Sequence, residues 1–386
     1  MPPAAFPARA SVVIVGGGVM GLSSAFHLAL AGVEDVVLVE KGALGEGSTC
    51  KAAGGVRALF SDEINIRLGE RSLRTFEEFG TQFDQEIDLH QVGYLLLADN
   101  DETMSAFEEN VELMTSLGLA ARTVSVADAK RLSPLIATED LVGGLWSPRD
   151  GHCTPESVVA GYAKAARRAG VRILTGTEVT DIEVADGRVA AVRTSAGMIA
   201  TDAVVCAAGA WSADIASWAG EDLPIVPLRR QIAVTEPLGV DLTGTPFTID
   251  FSTMFYFHGE GRGLLMGAPE ATDSEGFDIS RDPDWLETLA ECMDRRVPAL
   301  GDVGLQSGWA GLYEMTPDHN AVIGSSDVVE GFIYAAGFSG HGFLMGPAVG
   351  EVVRDLYLGK EPFVDVSPMH ARRFHNAGER PERNII

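Results

Sequence analysis

A glycine-spaced turn caught between a β-branched run and a helical pattern restricts this chain more than any other feature. Val12 to Val15 reads as a buried strand, and Gly16, Gly18 and Gly21 follow it in GxGxxG spacing. Leu22, Phe26 and Leu30 then recur at helical intervals, and Val36 to Val39 gives a second buried-strand signal. Two such strands joined by one helix form a crossover, which starts a parallel sheet. The first glycine permits the tight turn, the second admits a pyrophosphate to the backbone, and the third brings helix and strand together. Unpaired N–H groups and the partial positive charge of the helix N-terminus suit that pyrophosphate. Glu40, ending the second strand, is placed to accept hydrogen bonds from an adenosine ribose; the competing reading is a solvated strand-end carboxylate. The unit predicts dinucleotide binding without distinguishing FAD from NAD.

The rest of the chain alternates in the same manner. Helical patterns cover Ile64 to Phe79 and Ser157 to Ala169, the latter introduced by Pro155 and Glu156. Strands are predicted at Val171 to Leu174, Val179 to Val184 and Val189 to Thr194, with Asp186-Gly187 as a hairpin turn. Ala203 to Cys206 is another buried run. Short strand-like pieces between about Glu221 and Gly308 predict an antiparallel sheet in a second domain. A last strand, Phe332 to Ala336, leads into a glycine turn at Gly337 to Gly342 and a helix that Pro347 helps begin and that runs towards Leu358.

At 386 residues, two lobes are expected. Lys plus Arg number 29 against 55 Asp plus Glu, so the net charge of −26 repels nucleic acid and anionic membranes. Cys50, Cys153, Cys206 and Cys292 form no CxxC pair, which argues against a disulfide framework and a metal site and fits a reducing cytoplasm. No apolar run approaches the ~18 residues of a membrane span. The first strand signal begins at Ser11, leaving no room for a secretory signal.

Four stretches carry a family resemblance: GEGSTCKAAGGVR (Gly45 to Arg57), AVVCAAGAWS (Ala203 to Ser212), WAGLYEMTPDHNAVIG (Trp309 to Gly324) and GFSGHGFLMGPAVGE (Gly337 to Glu351). In order and spacing the chain resembles the D-amino-acid oxidase superfamily from about Val12 to Phe374, especially its sarcosine oxidase β-subunit, dimethylglycine dehydrogenase and glycine oxidase branches. The resemblance implies an α/β fold: a Rossmann-type FAD-binding domain (1–85, 145–222, 307–386) interleaved with an α+β substrate domain on a largely antiparallel sheet (86–144, 223–306). It implies that FAD contacts Gly16, Gly18, Met20, Gly21, Glu40, Lys41, Ser48, Thr49, Ala53, Gly54, Val179, Ala207, Gly209, Gly311, Gly337, Gly340, His341, Gly342, Phe343 and Leu344. Family positions that tether flavin covalently fall at Gly311, at Lys51 and near Pro155, so the FAD is expected to be noncovalent, with no FMN.

The activity so implied is oxidation of the C–N bond of an amino acid, with an N-alkyl or N-carboxymethyl secondary amine as the leading substrate class. Arg57 matches the family arginine that grips a substrate carboxylate, and Lys51 is a second candidate charge. Tyr256 and Tyr313 are expected to orient the amine, and His341 either relays a proton or holds the flavin-facing turn. Phe255, Phe257, Leu265 and Met266 suit an apolar pocket or a sheet core equally. His152 and His258 are weaker candidates. Second family anchors for the carboxylate fall at Leu344 and Tyr313, and the lysine that promotes oxygen reactivity falls at Leu265, so the electron acceptor is O2 or another oxidant. Alternatives are a flavoprotein subunit of a larger dehydrogenase, a glycine or D-amino-acid oxidase, and a hydroxylase, whose GD-type motif is replaced here by GFSGHGF.

Overall fold

The computed structural model describes residues 6–375 and 378–384. Its first sheet has six strands in the order Val322–Ser325, Phe332–Ala336, Val204–Cys206, Val12–Val15, Val36–Val39 and Arg172–Leu174. All neighbours run parallel except the edge strand Val322–Ser325. Every residue of Val12–Val15 is buried, as a parallel strand covered on both faces requires. Val12 and Ile14 pack towards the helices, whereas Val13 and Val15 face a layer carrying Val179, Ile182 and Val189. That layer is the antiparallel sheet of Val179–Ala185, Arg188–Thr194 and Gly197–Ala200. Its predicted hairpin turn has φ of 52° at Asp186 and 76° at Gly187, the left-handed pair that matches strand twist.

The second large sheet has eight strands, in the order Leu305–Met315, Val226–Thr235, Gly263–Ala268, Phe255–Glu260, Phe247–Asp250, Tyr94–Ala98, Gly143–Ser147 and Arg122–Val124. Only Phe247–Asp250 against Tyr94–Ala98 is parallel. The interleaving is therefore present, but the expected boundaries at 144 and 306 fall inside or beside strands of this sheet. Gly143–Ser147 and Leu305–Met315 both belong to it as whole strands. Hydrogen-bonded ladders, not composition, define which lobe a segment joins.

The last long helix corrects one expectation. It spans Gly342–Tyr357 and holds Pro347 inside instead of at its start. Proline lacks an N–H, and the helical ladder is broken there. The Ala348 N–H donates to Ser72 Oγ at 3.1 Å, and Ser23 Oγ donates to the Pro347 carbonyl at 3.4 Å. Side chains of two neighbouring helices thus bond the peptide that follows the proline, which local sequence could not reveal. The pattern expected at Ile64 to Phe79 forms Glu63–Glu77, capped by Asp62 accepting from the Ile64 N–H at 2.9 Å, followed by a short helix Phe79–Phe83.

The first helix, Val19–Leu30, lies against Gly342–Tyr357 at very short range. A Cβ on Gly346 would stand 2.5 Å from Val19 Cγ2, and one on Gly350 would stand 2.1 Å from Ser23 Oγ. Among the described residues no helix is long and apolar enough to cross a membrane. Gly350→Val is expected to wedge these helices apart and cost about 1–3 kcal/mol, read as a lowered midpoint in chemical denaturation. An unchanged midpoint would show that the contact tolerates bulk.

Candidate active site

Between the two sheets runs a cleft of about 580 Å³. One end is built on the glycine turn. Gly16, Gly17 and Gly18 line it, and the helix beginning at Val19 has neither a side-chain cap nor an acidic residue in its first turn. Gly18 has room for little more than a hydrogen, since a Cβ would meet Thr49 Oγ1 at 2.9 Å. Thr49 Oγ1 accepts from the Val19 N–H at 3.2 Å, and the buried Ser48 Oγ has no hydrogen-bond partner among the described residues. Glu40 lines the cleft too, but its oxygens already accept from the Gly17 N–H at 2.6 Å and the Gly42 N–H at 2.7 Å. It therefore braces the turn, with lone pairs left over for a ribose. Lys41 lies 3.5 Å over the ring of Trp211, a cleft residue the sequence had not singled out.

Nearly all the expected contacts reach this wall. Met20, Ala53, Gly54, Val179, Ala207, Gly209, Gly311, Gly340, His341, Gly342, Phe343 and Leu344 line it, as do Lys51, Arg57, Tyr256 and Tyr313. Gly21 and Gly337 do not. A Cβ on Gly21 would lie 1.9 Å from the Gly16 carbonyl oxygen, so this glycine serves helix–strand packing. Gly337 has φ of +73° and donates its N–H to Glu314 at 3.0 Å, behind the wall. Phe255, Phe257, Leu265 and Met266 likewise belong to the buried core and not to the cleft. Their apolar character reflects the sheet interior.

The other end of the cleft is an aromatic box on one face of the eight-stranded sheet. The rings of Tyr94 and Phe247 stack at 4.4 Å, and those of Phe247 and Tyr256 at 5.5 Å, a ladder across three strands. Tyr313 and Ile232 complete the lining. Glycines seat all three tyrosines. A Cβ would come within 1.9 Å of Tyr94 at Gly55, 2.2 Å of Tyr256 at Gly267 and 2.4 Å of Tyr313 at Gly340. Among the described residues no protein group hydrogen-bonds the three tyrosine hydroxyls, so they are available to a ligand. Sequence reading missed Tyr94 and Phe247 because nothing local says which face of a strand meets a ligand.

Arg57 stands at the end of this box, only 4 % exposed. Its guanidinium donates to the Leu59 carbonyl and to the Asn384 carbonyl at 2.7 Å, and lies 4.2 Å over the Phe60 ring. No salt bridge engages it among the described residues. Burial lowers its pKa, yet an arginine stays charged. Lys51 is more open and donates Nζ to the Glu46 carbonyl at 2.7 Å. His341 is buried with both ring nitrogens unpartnered among the described residues, and burial followed by the nearby Arg57 charge lowers its pKa to about 3. It is a neutral imidazole near pH 7, offering one donor and one acceptor. His258 supports the wall from behind, with Nε2 at 2.9 Å from the Ala53 carbonyl and Nδ1 at 2.8 Å from that of Gly259.

The glycine floor, uncapped helix, orphaned Ser48 hydroxyl and adjoining aromatic box fit a dinucleotide whose reactive ring reaches a small-molecule pocket. Fold and site thus define a dinucleotide-dependent redox enzyme. The chain belongs to the family of FAD-dependent oxidoreductases known as DAO, whose model matches residues 11–356. Mitochondrial sarcosine dehydrogenase of Mus musculus is 30% identical over 96% of this chain and 42% of that protein. This chain therefore spans less than half the length of that relative. Among solved structures, L-proline dehydrogenase from P. horikoshii matches with TM-score 0.91 and 31% identity, over 97% of this chain and 100% of that one. Glycine oxidase from Geobacillus kaustophilus matches with TM-score 0.84 and 28% identity, over 95% and 99%. FAD is the family's cofactor, and Gly16 to Met20, Ser48, Thr49, Ala53, Gly54 and Gly340 to Leu344, which line the cleft, are the residues that would hold it.

Two expectations follow from this geometry. Gly267→Ala should destabilise the protein by about 1–3 kcal/mol by displacing the Tyr256 ring, and adding Tyr256→Ala should recover part of that loss; strictly additive denaturation midpoints would refute the seating. Burial pushes the Glu314 carboxyl up to about 7 from its ordinary 4.5, against the Gly337 and Phe338 N–H groups that hold it down. A folded-state pKa above the unfolded one contributes stability below pH 4.5 that is lost as pH rises through about 7. Glu314→Gln should flatten that decline by up to about 3 kcal/mol, seen as converging unfolding free energies at acid pH and divergence by pH 8.

Proposed function

We propose that this chain oxidises the C–N bond of an amino acid whose nitrogen is a secondary amine. The observation that carries this reading is Arg57: a buried guanidinium, without a carboxylate partner among the described residues, at the end of an aromatic box that opens onto the dinucleotide cleft. A buried cation left unpaired is costly, and a substrate carboxylate would relieve it. The planar fork suits such a group. The relatives support the class, since sarcosine and proline, named in two of them, both carry a secondary amine next to a carboxylate-bearing carbon.

Bound FAD supplies the two-electron acceptor, taken here as noncovalent because Gly311 and Lys51 stand at the family's tethering positions. The chain's own residues bind and orient. Arg57 fixes the carboxylate; Tyr256 and Tyr313 confine the nitrogen and exclude water. A substrate ammonium, pKa ~10, is pressed to lose its proton by the neighbouring positive charges of Arg57 and Lys51 and by the apolar walls. Neutral His341 is placed to accept or donate one hydrogen bond at that end. With FAD bound as hydride acceptor, the substrate would lose hydride from carbon and a proton from nitrogen, and water would add to the resulting imine to give a shorter amine and a carbonyl compound.

The small share of sarcosine dehydrogenase that this chain covers, against its full coverage of L-proline dehydrogenase, keeps a second organisation in view. In it the chain is the flavoprotein part of a larger dehydrogenase, with O2 replaced by another acceptor. Anaerobic mixing of the yellow protein with primary, secondary and tertiary amino acids should bleach the flavin fastest with secondary amines. Bleaching by glycine or D-alanine alone would reject the substrate class. Arg57→Met should raise the half-saturating concentration by on the order of ten-fold or more, and unchanged saturation would remove Arg57 from the site.

A further inference from the structure

The aromatic box has a second guanidinium that no part of the foregoing function uses. Arg230 lies on Val226–Thr235, where alternation decides its direction. Its neighbours Arg229 and Gln231 point to the outer face. There Arg229 is bonded to Glu270 at 2.8 Å and to Asp282 at 3.2 Å, and Gln231 Nε2 donates to Glu270 at 2.9 Å. Arg230 and Ile232 therefore turn inward, and both line the cleft. The Arg230 guanidinium carbon sits 5.7 Å from the centre of the Tyr313 ring.

Arg57 approaches the same box from elsewhere. It packs 6.0 Å over the ring of Tyr94, whose strand lies four places from that of Arg230 in the sheet order. At ~4.8 Å per strand, those two strands are about 19 Å apart at backbone level. Tyr313, on the edge strand beside that of Arg230, feels both cations, and both favour ionisation of its hydroxyl against burial. Tyr94, Ile232, Phe247, Tyr256 and Tyr313 line the box with the two arginines, and the one carboxylate next to them on the cleft, Glu314, already accepts from the Gly337 N–H at 3.0 Å among the described residues. Among the described residues the one acidic partner of Arg230 is Asp273, at 3.0 Å, whose side chain is 61% exposed and stands outside the cleft lining. Such a solvent-facing pair is weak and exchangeable.

We infer that the site selects substrates with an anionic group on each side of the nitrogen, Arg57 taking one carboxylate and Arg230 the other. The substrate class is then an N-carboxyalkyl amino acid, not an N-methyl one. This inference rests on the proposed amine oxidation only for the word substrate; the recognition of two carboxylates stands or falls by itself. Oxidation of such a compound, with FAD taking the two electrons and water adding to the imine, yields a primary amino acid and an oxo acid.

The experiment uses unreactive probes on the FAD-loaded protein: thiodiacetate, with two carboxylates about a sulfur, and methylthioacetate, with one. Binding is read from the change in the flavin absorption spectrum and, independently, by calorimetry. Thiodiacetate should bind on the order of ten-fold or more tightly than methylthioacetate. Arg230→Met should erase that advantage while leaving methylthioacetate affinity unchanged, and Asp273→Asn should strengthen thiodiacetate binding by freeing Arg230. Equal affinities in the wild type, or an Arg230→Met variant that still prefers thiodiacetate, would overturn the inference and leave Arg230 a surface ion pair only. Failure of every amine to bleach the flavin would defeat the proposed oxidation without touching this comparison. Rapid bleaching by sarcosine but not by an N-carboxymethyl amino acid would sustain the oxidation and defeat the two-carboxylate reading.

Discussion

The contact between the first helix and the last long one fixes the position of every element around the cleft. Both helices end at it: Val19–Leu30 begins at the glycine turn, and Gly342–Tyr357 begins at the turn that borders the aromatic box. Their axes approach because Gly346 and Gly350 offer no side chain to Val19 and Ser23. Gly21 performs the same service towards the strand below, against the Gly16 carbonyl. Two positive helix ends are thereby set along one cavity, where an extended anionic cofactor and its reactive ring can both be addressed.

Against that helical floor the eight-stranded sheet acts as a roof whose chemistry is decided by strand alternation. Its inner face carries Tyr94, Phe247, Tyr256, Ile232 and Arg230, while the adjacent Arg229 and Gln231 serve an outer ion-pair cluster with Glu270 and Asp282. Rings lie flat across neighbouring strands because glycines stand beneath them. A flat aromatic surface with unengaged hydroxyls offers shape and a few hydrogen bonds without charge, leaving charge recognition to the arginines at its edges. The electrostatic contrast is strong in a chain of net charge −26. Positive charge is concentrated where a carboxylate is to be held.

Much of this was legible beforehand wherever the information is local. The strand, glycine turn and helix at Val12 to Leu30, the Asp186-Gly187 hairpin and the parallel pairing of Val12–Val15 with Val36–Val39 each follow from residue period and turn chemistry. Family likeness located Arg57, Tyr256, Tyr313 and His341 on the cleft wall. The start of the last helix was misplaced because Pro347 is tolerated inside it, the peptide after it being bonded by Ser72 and Ser23 from other helices. Gly337 was assigned to the wall when it lies behind it, bonded to Glu314.

What the amino-acid order alone settled is the backbone grammar: where the chain bends, which runs are buried, and that the first turn is built of glycines between a strand and a helix. Those properties depend on neighbours in sequence, so they can be seen there. The composition of the pocket was decided by the packed molecule. Arg57 is held by the carbonyl of Asn384, 327 positions away, and Arg230 faces inward only because its strand lies between Gly263–Ala268 and Leu305–Met315. Which side of a strand meets a ligand is set by what the sheet packs against, and only long-range contacts supply that.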